Sequence, residues 1–308
     1  MLKTNVRGTV LLSTSVGIAM LLVYAVALLV ALATAPAASA LSRDHGASFA
    51  VRCDFSHRNS DDPIVWPGSP GAAHSHDFFG NRSTQFDSTY DTMTVANTTC
   101  TRFDADKASY WMPTVKWNGK DLEANRAVFY YRAGGKDYTK VQAFPADLRM
   151  VPKTHVSWRC GRTDEDGGAT TPPTRCSNGL LGLRIAFPDC SNANGQIDSA
   201  DHRSHMAYHT SRNGVSRCPS THPIPVPALT MNVTFPIPTT SGRVTLSSGS
   251  ASTMHADFWN TWNQQQLEGL VQRCINAVPP SEPRPEECQS PRLMSTEPTV
   301  QPRLASNE

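Results

Sequence analysis

Residues 229–235 read Leu-Thr-Met-Asn-Val-Thr-Phe, with an apolar side chain at every second position. In an extended chain, successive side chains point to opposite sides, so Leu229, Met231, Val233 and Phe235 share one face of a strand. Leu183-Arg184-Ile185-Ala186-Phe187 alternates in the same way. Shorter β-branched or aromatic runs recur at Ala50–Cys53, Thr114–Trp117, Ala127–Arg132 and Val156–Trp158. Turn pairs punctuate them, among them Asn118-Gly119, Gly134-Gly135, Asn178-Gly179 and Asn194-Gly195. One stretch has helical spacing: from Asn260 to Asn276, Trp262, Leu267, Leu270, Val271 and Cys274 fall on one face, and Pro279 ends it. The pattern predicts a mainly β, single β-sandwich-like domain with long loops and one late α-helix. A mixed α+β layout is the alternative.

The ends frame that domain. Lys3 and Arg7 precede a charge-free apolar run from Gly17 to Ala33, and Ala38-Ser39-Ala40 follows with small-x-small spacing. Residues 1–40 therefore read as a signal peptide. The alternative is an anchor to the outer face of a membrane through residues 17–33, since the run approaches the ~17–25 residues that span a bilayer. Residues 41–47 read as a linker and 48–277 as one disulfide-bonded domain. Residues 278–308, rich in proline, serine and glutamate, read as a disordered tail that Cys288 could pin at its start. Export makes the expected location secreted and extracellular.

The eight cysteines, Cys53, Cys100, Cys160, Cys176, Cys190, Cys218, Cys274 and Cys288, all follow the export signal. An even count in that context predicts four disulfides out of about a hundred possible pairings. Cys160 with Cys176 and Cys190 with Cys218 would each close a turn-rich loop, worth about 3 kcal/mol in the chain-entropy model. No Cys-x-x-Cys occurs, which argues against a zinc ribbon or a thioredoxin-type motif.

Cleavage after Ala40 would remove two of the 28 cations and leave the remainder in balance with 26 acidic residues. No basic stripe stands out, so nucleic acid is excluded as an expected partner. His-Glu-x-x-His, Gly-x-Ser-x-Gly, P-loop and dinucleotide-binding motifs are absent. Asp61-Asp62 are adjacent, so on a strand they would point apart and make no glycosidase pair. Asp164-Glu165-Asp166 reads as a solvated acidic turn rather than a calcium loop.

The chemistry-bearing signal lies in the grouping of ten histidines. His74 and His76 sit two apart, so a strand would aim both imidazoles the same way, with Asp77 facing away to orient a neighbour. His202, His205 and His209 would share a face of a helix, whereas a strand would align only His205 with His209. His255 and Asp257 precede the late helix, where Asp257 could serve as an N-cap. Neutral imidazoles with a carboxylate suit a divalent metal, zinc or copper, that activates a bound water. The expected ligands are His74, His76 and His205, with His202 beside them. His255 or Asp201 is the expected fourth ligand or general base. The competing expectation keeps these imidazoles structural, bonded to loop backbone. Tyr110, Trp111, Trp117, Tyr130, Tyr131, Phe258 and Trp259 are either core or faces for stacking on sugar rings.

His74-Ser75-His76-Asp77-Phe78-Phe79-Gly80-Asn81, Tyr110-Trp111-Met112-Pro113-Thr114, Phe144–Met150, Phe187-Pro188-Asp189-Cys190, Asp201–Tyr208, His222–Pro227 and His255-Ala256-Asp257-Phe258 occur in this order. Together they resemble a family of secreted bacterial and fungal proteins, domain of unknown function nineteen ninety-six, over most of residues 60–275. The resemblance implies an extracellular protein. Because fungal relatives are often joined to carbohydrate-binding modules of the WSC type, it also points to polysaccharide or cell-wall glycan as the partner. The family pattern includes His74, His76, Asp77, Asp201, His202, His205, His222 and His255, whereas His209 departs from it. The functional expectation is a metal-dependent hydrolase or lyase acting on such a polymer. A non-catalytic carbohydrate- or wall-binding protein is the alternative.

Overall fold

The computed structural model describes residues 46–101, 103–162, 168–213 and 215–288. The signal or anchor segment, most of the linker, the Asp164–Asp166 turn and the tail beyond Cys288 lie outside the described residues. No helix among the described residues is long and apolar enough to cross a membrane.

Two antiparallel sheets carry the architecture. The larger has six strands in the order Val156–Cys160, Leu180–Ala186, Ala228–Pro236, Arg126–Arg132, Ser48–Cys53 and Cys100–Thr101. The second has five, in the order Phe55–Asn59, His76–Gly80, Ser109–Pro113, Asp257–Trp259 and Arg149–Met150. Every pairing within them is antiparallel. The alternating positions of 229–235 do what their period requires: Leu229, Met231, Val233 and Phe235 are fully buried in the main core. That core lies between the sheets, where Tyr110 stacks on Phe129 at 3.7 Å between ring centroids. The protein is thus mainly β, as the alternation predicts.

The opposite face of the five-stranded sheet is covered as well. Phe78, Trp111 and Trp259 pack there with Ile64, Met93 and Val151 in a separate apolar cluster. Ile64 belongs to the loop that leaves the strand Phe55–Asn59 and returns at His76–Gly80, so burying Ile64 draws that loop down onto the sheet. Gly80 ends the His76–Gly80 strand at φ +83°, and a Cβ there would meet the Ala108 carbonyl oxygen at 2.4 Å. Only glycine fits that close approach.

The late helix is shorter than its sequence pattern. An α-helix spans Gln264–Leu270 and continues as a π-helix over Val271–Asn276. Its N-cap is Asn263, whose side-chain oxygen accepts from the Gln266 N–H at 3.1 Å. Asp257 is not a cap, because it lies in a strand. A further short helix, Tyr90–Thr94, carries a Thr89/Thr92 capping box.

The disulfides are Cys53–Cys100, Cys160–Cys176, Cys190–Cys218 and Cys274–Cys288. The last fastens residues 278–288 to the helix, and Val278, Arg284 and Cys288 are buried. At the other end Ala47 is buried, and the Gly46 N–H donates to the Glu282 carbonyl at 3.2 Å. Ordered structure therefore reaches a little beyond both sequence-derived limits, because a covalent tie and backbone hydrogen bonds hold segments whose composition alone would not order them.

Candidate metal centre

Sheet register sets the site. Phe78 and Asp257 both lie directly opposite Trp111, in the strands flanking Ser109–Pro113. Directly opposed side chains share a face, and residues two apart share it too. His76, Phe78, Trp111, Asp257 and Trp259 therefore project from the same side of the five-stranded sheet. His74 and His255 precede their strands by two residues and lie at the same end. Ring centroids are 4.3 Å apart for His74 and His76, 5.1 Å for His74 and His255, and 5.8 Å for His76 and His255. One nitrogen from each of the three lies within 4.8 Å of the other two. Ligand atoms of Asp62, His76 and Asp257 satisfy the same limit. Nitrogens on one tetrahedral zinc stand about 3.3 Å apart, given Zn–N distances of about 2.0–2.1 Å, so small side-chain rotations suffice to close the set.

The hydrogen bonds of the site leave its inward atoms open. Nδ1 of His76 is 3.0 Å from the Asp61 carbonyl, and Nδ1 of His255 is 3.0 Å from the Thr253 carbonyl. A carbonyl only accepts, so each Nδ1 carries the proton and each neutral ring presents a lone pair at Nε2. Among the described residues, Nε2 of His74, Nε2 of His76 and both oxygens of Asp257 are buried without a hydrogen-bond partner. Nε2 of His255 stands 4.0 Å from an Asp257 oxygen. Buried polar atoms are nearly always satisfied, so four orphans in two ligand-spaced groups that share His76 form an outlier that a cation would resolve.

Burial and mutual repulsion shift the titration of these groups. Burial, together with the His74 and His255 rings, holds the His76 imidazole well below its usual range. Burial brings His255 down to about 4 and lowers His74 as well. All three rings are therefore neutral near pH 7, as ligation requires. Burial, with the neighbouring Asp62, pushes the Asp257 carboxyl well above the carboxylate range. Burial also raises Asp62. One Asp62 oxygen accepts from the N–H groups of Ile64 at 3.1 Å and Val65 at 3.0 Å. His76 and Asp257 are fully buried, whereas His74 and His255 are only partly so, which leaves the His74–His255 side open to solvent.

The remaining sequence candidates lie elsewhere. His205 is buried with both nitrogens engaged, Nδ1 with Ser199 Oγ at 2.9 Å and Nε2 with the Arg149 carbonyl at 2.7 Å. Nδ1 of His202 pairs with Asp198 at 2.9 Å. No helix forms over 198–206, where His202 itself has φ +56°, so the face shared by His202, His205 and His209 does not arise. Exposed Asp201 accepts from the Arg203 and Ser204 N–H groups and from the Ser199 and Ser204 hydroxyls, which hold its carboxyl far below the usual range. Asp77 faces away from His76, as the strand parity requires, and is gripped by Arg58 and by Thr114 Oγ1 at 2.9 Å. The aromatic side chains considered for sugar stacking, Tyr110, Trp111, Trp117, Tyr130, Tyr131, Phe258 and Trp259, are all buried. Trp66, on the loop after Asp62, is 51% exposed.

The sequence pattern alone does not place Asp257 or Asp62 at the site. Asp257 carries a readable signal, because it stands two residues after His255 just as His76 stands two after His74. Asp62 carries none, since its position depends on how Ile64 docks its loop.

A family model described as Domain of unknown function (DUF1996) matches residues 62–262, a span that holds every residue of the cluster. No curated protein and no solved structure matches the chain significantly.

Proposed function

The chain belongs to the DUF1996 family, and from that premise we propose that it is an exported metal-dependent enzyme that cleaves a polysaccharide or wall polymer. The observation that carries the proposal is the pair of ligand-spaced triads, His74–His76–His255 and Asp62–His76–Asp257, that share His76, with Nε2 of His74, Nε2 of His76 and both Asp257 oxygens buried and unpartnered among the described residues. His74, His76 and His255 supply neutral nitrogens and Asp257 supplies the carboxylate, a donor set suited to zinc or copper. Bound there, a divalent ion would supply Lewis acidity and lower the pKa of a coordinated water. The Asp61 and Thr253 carbonyls fix the ring orientations. Asp62 has one oxygen tied to backbone N–H groups and its pKa raised by burial, so the other oxygen can take a proton at the cluster. The open His74–His255 side gives a polymer access. Four disulfides suit an oxidising compartment outside the cytoplasm.

The test uses mature protein, stripped with chelator and titrated with Zn²⁺, then assayed for reducing ends released from a panel of insoluble glycans. We expect one ion per chain, activity abolished by chelation and restored by metal, and loss of both in His76→Ala. Cleavage that persists in chelator would refute the proposal.

Exposed Trp66 favours a second reading, a non-catalytic glycan binder. That reading requires glycan pull-down to survive chelation and to fail in Trp66→Ala.

A further inference from the structure

Two cations border the cluster without an acidic partner. Arg203 belongs to the 198–206 loop, which Asp201 folds upon itself and which His205 fastens to the Arg149 carbonyl. The Nε–H of Arg203 donates to the Val151 carbonyl at 2.9 Å. The next carbonyl, that of Pro152, accepts from the N–H of Ala256 at 3.2 Å, and Ala256 lies between His255 and Asp257. Lys153 follows on the same segment. Arg203 is thus anchored on the piece of chain that runs alongside the candidate ligands, with Lys153 one residue further on. Both residues are positively charged, so anything bound on the His255 side of the cluster meets cationic rather than acidic neighbours on this segment.

Arg58, Lys116, Lys136 and Arg149 each form an ion pair with an aspartate. Among the described residues, Arg203 and Lys153 form none, although both are exposed. With its Nε committed to a backbone carbonyl, the Arg203 guanidinium keeps its two terminal nitrogens for a planar anion, and the hydrogen bond restricts the directions in which it can point. That is the arrangement by which arginine grips carboxylate or phosphate.

We propose that the substrate of this site carries an anionic group, a carboxylate or a phosphate, that Arg203 and Lys153 hold beside His255. This rests on the reading of the cluster as a metal centre and adds the chemical class of what it binds. The two cations select acidic polymers over neutral ones and make binding sensitive to salt.

The test is calorimetric titration of zinc-loaded mature protein with three probes: an oligogalacturonate, a neutral oligosaccharide of equal length, and inorganic phosphate. We expect an anionic probe to bind and the neutral one not to. Arg203→Gln and Lys153→Gln should each weaken binding about tenfold, as expected for loss of a charge-assisted contact, while zinc content stays at the wild-type level. Binding of oligogalacturonate alone assigns a carboxylate, and binding of phosphate alone assigns a phosphate. Equal affinity in the double variant would overturn the inference, as would no anion binding or neutral binding of the same strength. Failure of the metal reading would show separately, as no zinc retained by the wild-type protein.

Discussion

Two groups of histidines in this molecule have similar sequence patterns and opposite environments. In the 198–222 region the rings have hydrogen-bond partners: His205 and His222 engage both nitrogens, and His202 and His209 each bond an aspartate through Nδ1. At one end of the inner strands of the five-stranded sheet, His76 and His255 use only Nδ1, and the inward nitrogens of His74 and His76 meet no partner. The first group organises loops that strands do not reach. The second leaves lone pairs at ligand spacing beside a buried, unpartnered carboxylate. The lesson is that a histidine cluster in sequence says little until its hydrogen bonds are traced, since a satisfied ring braces backbone and an unsatisfied buried one awaits a ligand.

The contrast breaks most directly by alanine substitution in each group. His76→Ala should lower zinc affinity by more than about a hundredfold, beyond the effect usual for an outer-shell partner, whatever the loss of its Asp61 hydrogen bond costs the metal-free fold. His205→Ala should leave zinc stoichiometry intact and destabilise the fold by about 1–3 kcal/mol, the cost of two lost hydrogen bonds and unpaired partners, read by chemical denaturation. Reversed results would exchange the roles of the two groups.

A smaller effect sharpens the electrostatics. Because burial raises the pKa of the Asp257 carboxyl and lowers those of the His76 and His255 rings, zinc binding should release protons from Asp257 at a pH where an unperturbed carboxyl is already ionised. Calorimetry in buffers of different ionisation enthalpy measures this, and Asp257→Asn should abolish the release. The lowered His255 value also means that protonation of this ring, and acid release of a metal that depends on it, should set in below the 6.5 of an unperturbed ring.

A separate pH effect concerns a buried carboxyl away from the cluster. Asp106 accepts from the Tyr110 hydroxyl at 3.0 Å, and burial raises its pKa to about 8. A carboxyl with a raised folded-state pKa contributes stability that is full below its unfolded value and is lost as pH rises through the folded one. The stability of wild type relative to Asp106→Asn should therefore fall steadily as pH rises from about 4 to about 8. A difference independent of pH would mean that Asp106 is ionised in the fold.

Much of the fold was legible because alternation survives in a strand whatever lies around it. The 229–235 and 183–187 stretches announced their strands, and the turn-rich spacing announced Cys160–Cys176 and Cys190–Cys218. The convergence of His74 with His76 was legible for the same reason, as was the outward turn of Asp77. What could not be read was the register linking distant strands. Asp257 meets His76 because both flank the Ser109–Pro113 strand at neighbouring levels, and Asp62 joins them because Ile64 packs over Phe78 and Trp111. His205 is the converse case: its motif looked like a ligand, yet Ser199 and the Arg149 carbonyl occupy both ring nitrogens.

The most direct measurement is anomalous diffraction at the zinc edge from crystals of the protein grown with Zn²⁺. The expected result is a single strong peak about 2 Å from a nitrogen of each of His74, His76 and His255, with Asp257 in contact. A density map with no anomalous signal there, or with the peak at His202 and His205 instead, would contradict the assignment of this cluster as the metal centre.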